Sequence, residues 1–200
     1  GDRALEIVYS NEALEDKYAE AVNSIAEAVG PNVKTYSLVT PNSTQFYGPE
    51  DLRSGATDQK TMIEYVYSKL DSSITSVDAY SKLRSHIDEY IFFRTDHHWT
   101  QLGAYYAYTA FCEAAGLEAV PLDDFETGQV TCSTTGATTF LGTLYTNVKN
   151  GSAAAAAALE ANPDTATYYK PIVKTDATAY TSLVNGELTG AYNGITTVAT

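Results

Sequence analysis

The chain predicts an α/β three-layer sandwich with a mainly parallel sheet and an irregular C-terminal addition. Three observations point there. Short apolar segments alternate with segments of helical periodicity over residues 5–116. The strand–helix–strand order is that of parallel pairing with a right-handed crossover. Beyond residue 120 the texture changes to Thr, Ser and Gly around an alanine run. Residues 120–200 therefore read as a lid or insertion on a single 1–200 domain. A length of 200 residues suits one such domain, or a large piece of one, and 44% apolar content is enough for a core.

The elements follow in order. Residues 5–10 form a short strand. From Asn11 to Val29, Leu14, Tyr18, Val22, Ile25 and Val29 recur at helical spacing, and Gly30-Pro31 stops the helix. Residues 33–40 are the next strand, ended by Pro41. Residues 44–57 contain Gly and Pro and read as a loop. Asp58 caps a helix through Leu70, with Met62, Ile63, Val66 and Tyr67 on one face. Residues 74–78 are a third strand, 80–88 a short helix or turn containing His86, and 90–94 a fourth, buried strand. Thr100 caps a helix that ends at Gly116. Residues 140–145 make a compact apolar hook. Residues 153–161 are helical by alanine propensity, Pro163 ends them, and 168–184 read as short strands or extended segments.

A formal charge of −13 argues against a nucleic-acid or anionic-membrane surface, and the 12 Lys and Arg are scattered. Sixteen tyrosines, with much Thr, Ser and Asn, suit a secreted or surface protein that handles sugars, or half-buried sheet positions. Cys112 and Cys132 either pair or stay free, Cys112 lying within an apolar helical run. Gly1-Asp2 looks like the scar of a cleaved tag, so an N-terminal signal or anchor is expected to have preceded it.

Chemistry concentrates after the fourth strand. Residues 95–99 read T-D-H-H-W and hold two of the three histidines and the only tryptophan. In open α/β sheets, ligands bind beyond the carboxyl ends of the strands. Asp96 and His98 stand two apart, so in an extended or turning segment a carboxylate-to-imidazole hydrogen bond is feasible. Such a carboxylate holds the imidazole in the tautomer a general base needs. His97 is then expected to point elsewhere, to substrate or a structural partner. Trp99 walls the pocket, and Arg94 binds an anionic group or pairs with Asp96. The plainer reading is that Asp96 caps the following helix and the histidines satisfy backbone groups. A metal reading takes Asp96, His97, His98 and His86 as ligands. Adjacent histidines usually diverge, and no H-E-x-x-H or C-x-x-C spacing supports it, so no metal and no cofactor are expected.

Over about 90–110 the chain closely resembles the DHHW family of Gram-positive bacterial proteins. It is similar, more distantly, to SGNH-hydrolase-like proteins that O-acetylate alginate and other exopolysaccharides and carry a T-D-x-H-W step. Thr40-Pro41 ahead of Tyr47, and Val77-Asp78, fit the same pattern. The resemblance implies an SGNH-like fold and a Ser-His-Asp triad in which Asp96 orients the imidazole and His98 is the general base. It implies O-acetyl transfer or ester hydrolysis on a cell-surface or extracellular polysaccharide, with a membrane-bound acetyl-donor partner. The G-D-S serine segment does not occur here. Ser10, Ser43 and Ser152 are candidates, but family order expects the serine beyond Thr200, and the tail-less end reads as cut. The alternative is a non-catalytic carbohydrate-binding or scaffold protein of the same fold.

Overall fold

The computed structural model describes residues 2–170, and the backbone of 179–184 and 187–192. The chain divides into two compact units, residues 1–120 with 128–168, and residues 121–127 with 169–200.

The first unit opens with helix α1 (Glu12–Val29), capped by Asn11, whose Oδ1 accepts from the Leu14 amide at 3.2 Å. Gly30 closes it at φ 76°, a backbone conformation that favours glycine. Strand β1 (Thr35–Ser37) follows, then three helices, α2 (Ser43–Tyr47), α3 (Glu50–Ser54) and α4 (Gln59–Ser68). Asp58 caps α4 through the Thr61 amide at 2.8 Å. Strand β2 (Ile74–Ser76) lies parallel to β1, Thr35 opposite Ile74 and Ser37 opposite Ser76. Next come α5 (Ala79–Arg84), capped by Asp78, and α6 (Gln101–Ala115), capped by Thr100 and closed by Gly116 at φ 68°.

After β3 (Glu126–Gln129) come β4 (Thr139–Phe140), α7 (Thr143–Gly151), α8 (Ala153–Glu160), β5 (Asp164–Thr165) and β6 (Thr167–Lys170). Strands β4 and β5 pair antiparallel, and β3 pairs with β6. One core cluster is Leu83, Ile91 and Phe92 with Phe46, Tyr47, Trp99 and Leu102 packed on it; a second is Ala4, Leu144 and Leu159. The second unit contains a helical turn at Leu122–Asp124, a Glu126–Lys170 ion pair of 2.9 Å, and the antiparallel hairpin β7 (Ala179–Val184) and β8 (Glu187–Tyr192).

The result is a mixed helix and strand fold. Among the described residues the parallel sheet amounts to the β1–β2 pair. Three local readings change. Residues 5–10 form no ladder, because other partners take their backbone groups: Thr57 N donates to Val8 O, the Asn42 and Thr44 side chains to Glu6 O, and Ser10 N to Thr57 Oγ1. Residues 44–57 form α2 and α3 instead of a loop, the first nucleated by Asn42 accepting from the Thr44 amide. Residues 90–94 are buried but are no sheet strand. They fold back on residues 98–100 through one Phe92–Trp99 bridge, Phe93 N to His98 O, and Thr100 N to Ile91 O. The 140–145 hook opens α7, which periodicity did not reveal. Both cysteines are free, Cys112 buried and Cys132 exposed. Among the described residues no helix is long and apolar enough to cross a membrane.

Candidate functional site

Residues 95–98 are the tip of that fold-back. Burial of Ile91, Phe92 and Phe93 draws the chain inward. Thr100 then turns it, donating from Oγ1 to Tyr90 O at 2.6 Å and accepting from the Gly103 amide at 3.2 Å. A Cβ at Gly103 would stand 2.3 Å from Ile91 O, so α6 can start against this segment only because residue 103 has no side chain.

The tip is held from the far side by Asp164, which is fully buried. Its oxygens accept from Arg94 N at 2.8 Å, Thr95 N at 2.7 Å, the Thr95 hydroxyl and the Tyr90 hydroxyl. Burial first, and the Asp164 carboxylate second, push the Tyr90 phenol well above its usual range. Thr95 in turn docks α7: its Oγ1 accepts from Gly142 N at 2.8 Å and its carbonyl from Tyr145 N at 3.1 Å.

Gly142 stands at the cap position of α7 and has no side chain to offer. Asp96 supplies the cap from across the chain, Oδ2 accepting from Thr143 N at 3.0 Å and Thr143 Oγ1 at 3.2 Å. The approach is close: a Cβ at Gly142 would lie 2.4 Å from Asp96 Cβ. Oδ1 of Asp96 accepts from His98 N at 3.0 Å and meets His98 Nδ1 at 2.6 Å. Burial acts to raise this carboxyl, but the Thr143 and His98 amides and the His98 ring outweigh it and hold it at about 2. A carboxylate so held stays ionised and fixes His98 with Nδ1 inward, leaving Nε2 outward on a ring that is 65% exposed.

The expected Asp96–His98 pair is therefore made, and Asp96 does cap a helix, though it is the distant α7. His97 does not diverge from His98. Its ring lies 3.9 Å from that of His98, tilted by 35°, because residues 95–98 turn tightly instead of running extended. His97 Nδ1 lies 2.9 Å from Thr143 Oγ1, whose proton goes to Asp96. Arg94 pairs with Asp164 and not with Asp96: Nε is 3.8 Å from Oδ1, and Nη2 donates to Pro163 O at 3.3 Å. Trp99 walls a cavity of about 420 Å³ with Phe93, Phe140, Gln101 and Ala104, reached by Asp96 and His98.

His86 is elsewhere, paired with Glu89 and stacked on Tyr106 at 3.5 Å. Ser43 is buried in α2, Ser152 caps α8, and Ser10 N donates to Thr57 Oγ1. Among the described residues no serine oxygen is hydrogen-bonded to His98. Donor atoms of Asp96, His97 and His98 do lie within 4.8 Å of one another. Both Asp96 oxygens already accept two protein bonds each, so the trio is built for a proton and poorly for a metal. Sequence reasoning missed Gly142, Thr143 and Asp164, which join this site from 46 to 74 residues away and leave no local signal.

The fold and the oriented imidazole define a mixed helix-and-strand protein with a buttressed Asp–His dyad beside an aromatic cleft. The chain belongs to the DHHW family: the model described as DHHW protein matches residues 1–200. It is similar to a DHHW family protein of known crystal structure from Eubacterium siraeum, at TM-score 0.73 and 33% identity over 87% of this chain. It spans 53% of that protein's length. It shares the fold of Bacillus cereus PatB1, in a structure with a sulfonyl adduct, at TM-score 0.58 and 16% identity over 89% of this chain and 55% of that one. The O-acetyltransferase domain of Pseudomonas putida AlgJ aligns at TM-score 0.49 and 17% identity over 82% of this chain and 60% of that one. No curated protein matches the sequence.

Proposed function

We propose that the complete protein performs acyl-ester chemistry on a cell-surface or extracellular polysaccharide, as an O-acetyltransferase or acetylesterase of the SGNH type. The observation that carries this is the 2.6 Å Asp96–His98 contact, which leaves the outward Nε2 as a general base beside a cavity. In this reading a serine Oγ attacks the acetyl carbonyl carbon while His98 Nε2 takes its proton. The ester C–O bond then breaks and the proton passes to the departing oxygen; a sugar hydroxyl or water, deprotonated by the same Nε2, next attacks the acetyl-serine carbonyl, and the proton returns to Ser Oγ as that ester bond breaks. Asp96 stabilises the imidazolium throughout. Family order assigns the serine to sequence following Thr200. The same reading takes β1–β2 as part of a mainly parallel sheet in an α/β/α sandwich. It places the protein outside the cell or at its surface, anchored through an N-terminal segment, with a membrane-bound acetyl donor as partner.

The second reading, a glycan-binding protein without turnover, is favoured by the lack of a serine on His98 among the described residues. The test is acetyl-ester turnover by the full chain of the gene, with His98→Ala beside it. Loss of roughly 10²–10⁴-fold supports the base role. Unchanged turnover refutes it, and a full chain that binds glycan without any turnover favours the second reading.

A further inference from the structure

We propose that the cavity beside His98 takes a neutral sugar residue and rejects a uronate. This deepens the functional reading above, and rests on it only for placing the acyl acceptor next to the base. Three features of the cavity carry it. Its walls are aromatic: Trp99 is half-buried, Phe140 is 37% exposed, and Phe93 lies beneath, edge-on to Phe140 at 5.2 Å and 76°. Such faces suit the apolar C–H face of a pyranose ring, and the exposed Gln101 amide offers both a donor and an acceptor to its hydroxyls.

No Lys or Arg lines the cavity among the described residues, and its one fixed charge is the Asp96 carboxylate, held ionised by its donors. The nearest guanidinium along the chain, that of Arg94, is taken by Asp164 and Pro163 O. A sugar carboxylate would thus enter beside a like charge with no cation to receive it, on a chain of net charge −13.

Trp99 is the only tryptophan of the chain, so its fluorescence reports occupancy without a label. The experiment titrates the full chain with cellotetraose, chitotetraose and tetragalacturonate at low and at physiological salt. The expected result is a saturable change with a neutral tetrasaccharide, and affinity for the uronate lower by about tenfold or more, the gap narrowing as salt is added. Phe140→Ala, at an exposed position, should weaken the neutral sugar while Trp99 still reports. A uronate that binds as tightly as the neutral sugars overturns the inference, as does the absence of saturable binding by both neutral probes. His98→Ala separates the two readings. Neutral-sugar binding retained without turnover supports this inference and leaves the base role to its own assay. Turnover with a uronate preference sinks this inference alone.

Discussion

Replacing Gly142 with Ala tests the buttress directly. The new methyl would sit 2.4 Å from Asp96 Cβ and 2.6 Å from Oδ2. Ordinary carbon contacts need about 3.5–4 Å, so the start of α7 must retreat by about 1 Å. The Thr143 N to Asp96 Oδ2 bond, now 3.0 Å, would then be lost. The size of the cost comes from the bond itself, and the depressed carboxyl, to which the two His98 contacts also contribute, sets an upper scale. A hydrogen bond to a charged group contributes about 1.5–3 kcal/mol. The carboxyl is depressed from 3.8 to about 2, and a shift of that size corresponds to about 2 kcal/mol of stability.

We expect Gly142→Ala to destabilise by about 2–3 kcal/mol at pH 7 in urea denaturation. The sign of the pH dependence is set by the depressed carboxyl. Its contribution is fully present above the unfolded value of about 4 and is lost as pH falls through about 2. The electrostatic part of the gap between wild type and variant should therefore shrink on acidification from pH 5 toward pH 2, and carbon-13 NMR should show Asp96 titrating closer to 3.8 in the variant. A gap under about 0.5 kcal/mol at pH 7, with Asp96 still titrating at about 2, would refute the reasoning.

Other outcomes follow from the same geometry. Asp164→Asn puts an amide donor among the four donors that Asp164 now receives, and should cost about 3–5 kcal/mol, read as a lower urea midpoint. If its stability matches wild type, Asp164 does not hold the tip. The exposed Cys132 thiol is drawn down to about 6 by the Thr134 hydroxyl first, then by Thr135 and the neighbouring amides. Its alkylation by iodoacetamide should reach half-maximal rate at about that pH, and Thr134→Val should move the midpoint upward; a midpoint unchanged by Thr134→Val argues against the hydroxyl's part. Buried Cys112 should react only on unfolding, so labelling of the folded protein at two sites would contradict the structure.

What was legible in the sequence is what neighbours in sequence decide. Asn11, Asp58, Thr100 and Ser152 each cap a helix because the side chain reaches an amide two or three residues on, and such offsets are visible in any string of residues. The Asp96–His98 contact belongs to the same class, two residues apart. Tertiary structure alone decided the rest. Residues 90–94 are apolar whether they join a sheet or fold back, and the close approach of Gly103 to Ile91, the Thr100 turn and the Asp164 carboxylate go with the fold-back. The side on which His97 lies depends on that turn. The charge state of Asp96 depends on Gly142 and Thr143, and the tip itself on Asp164. None of these partners shares a period or a spacing with residues 95–98. Their bonds close over long stretches of chain, and what selects them is the fit between surfaces that exist only once the chain has folded.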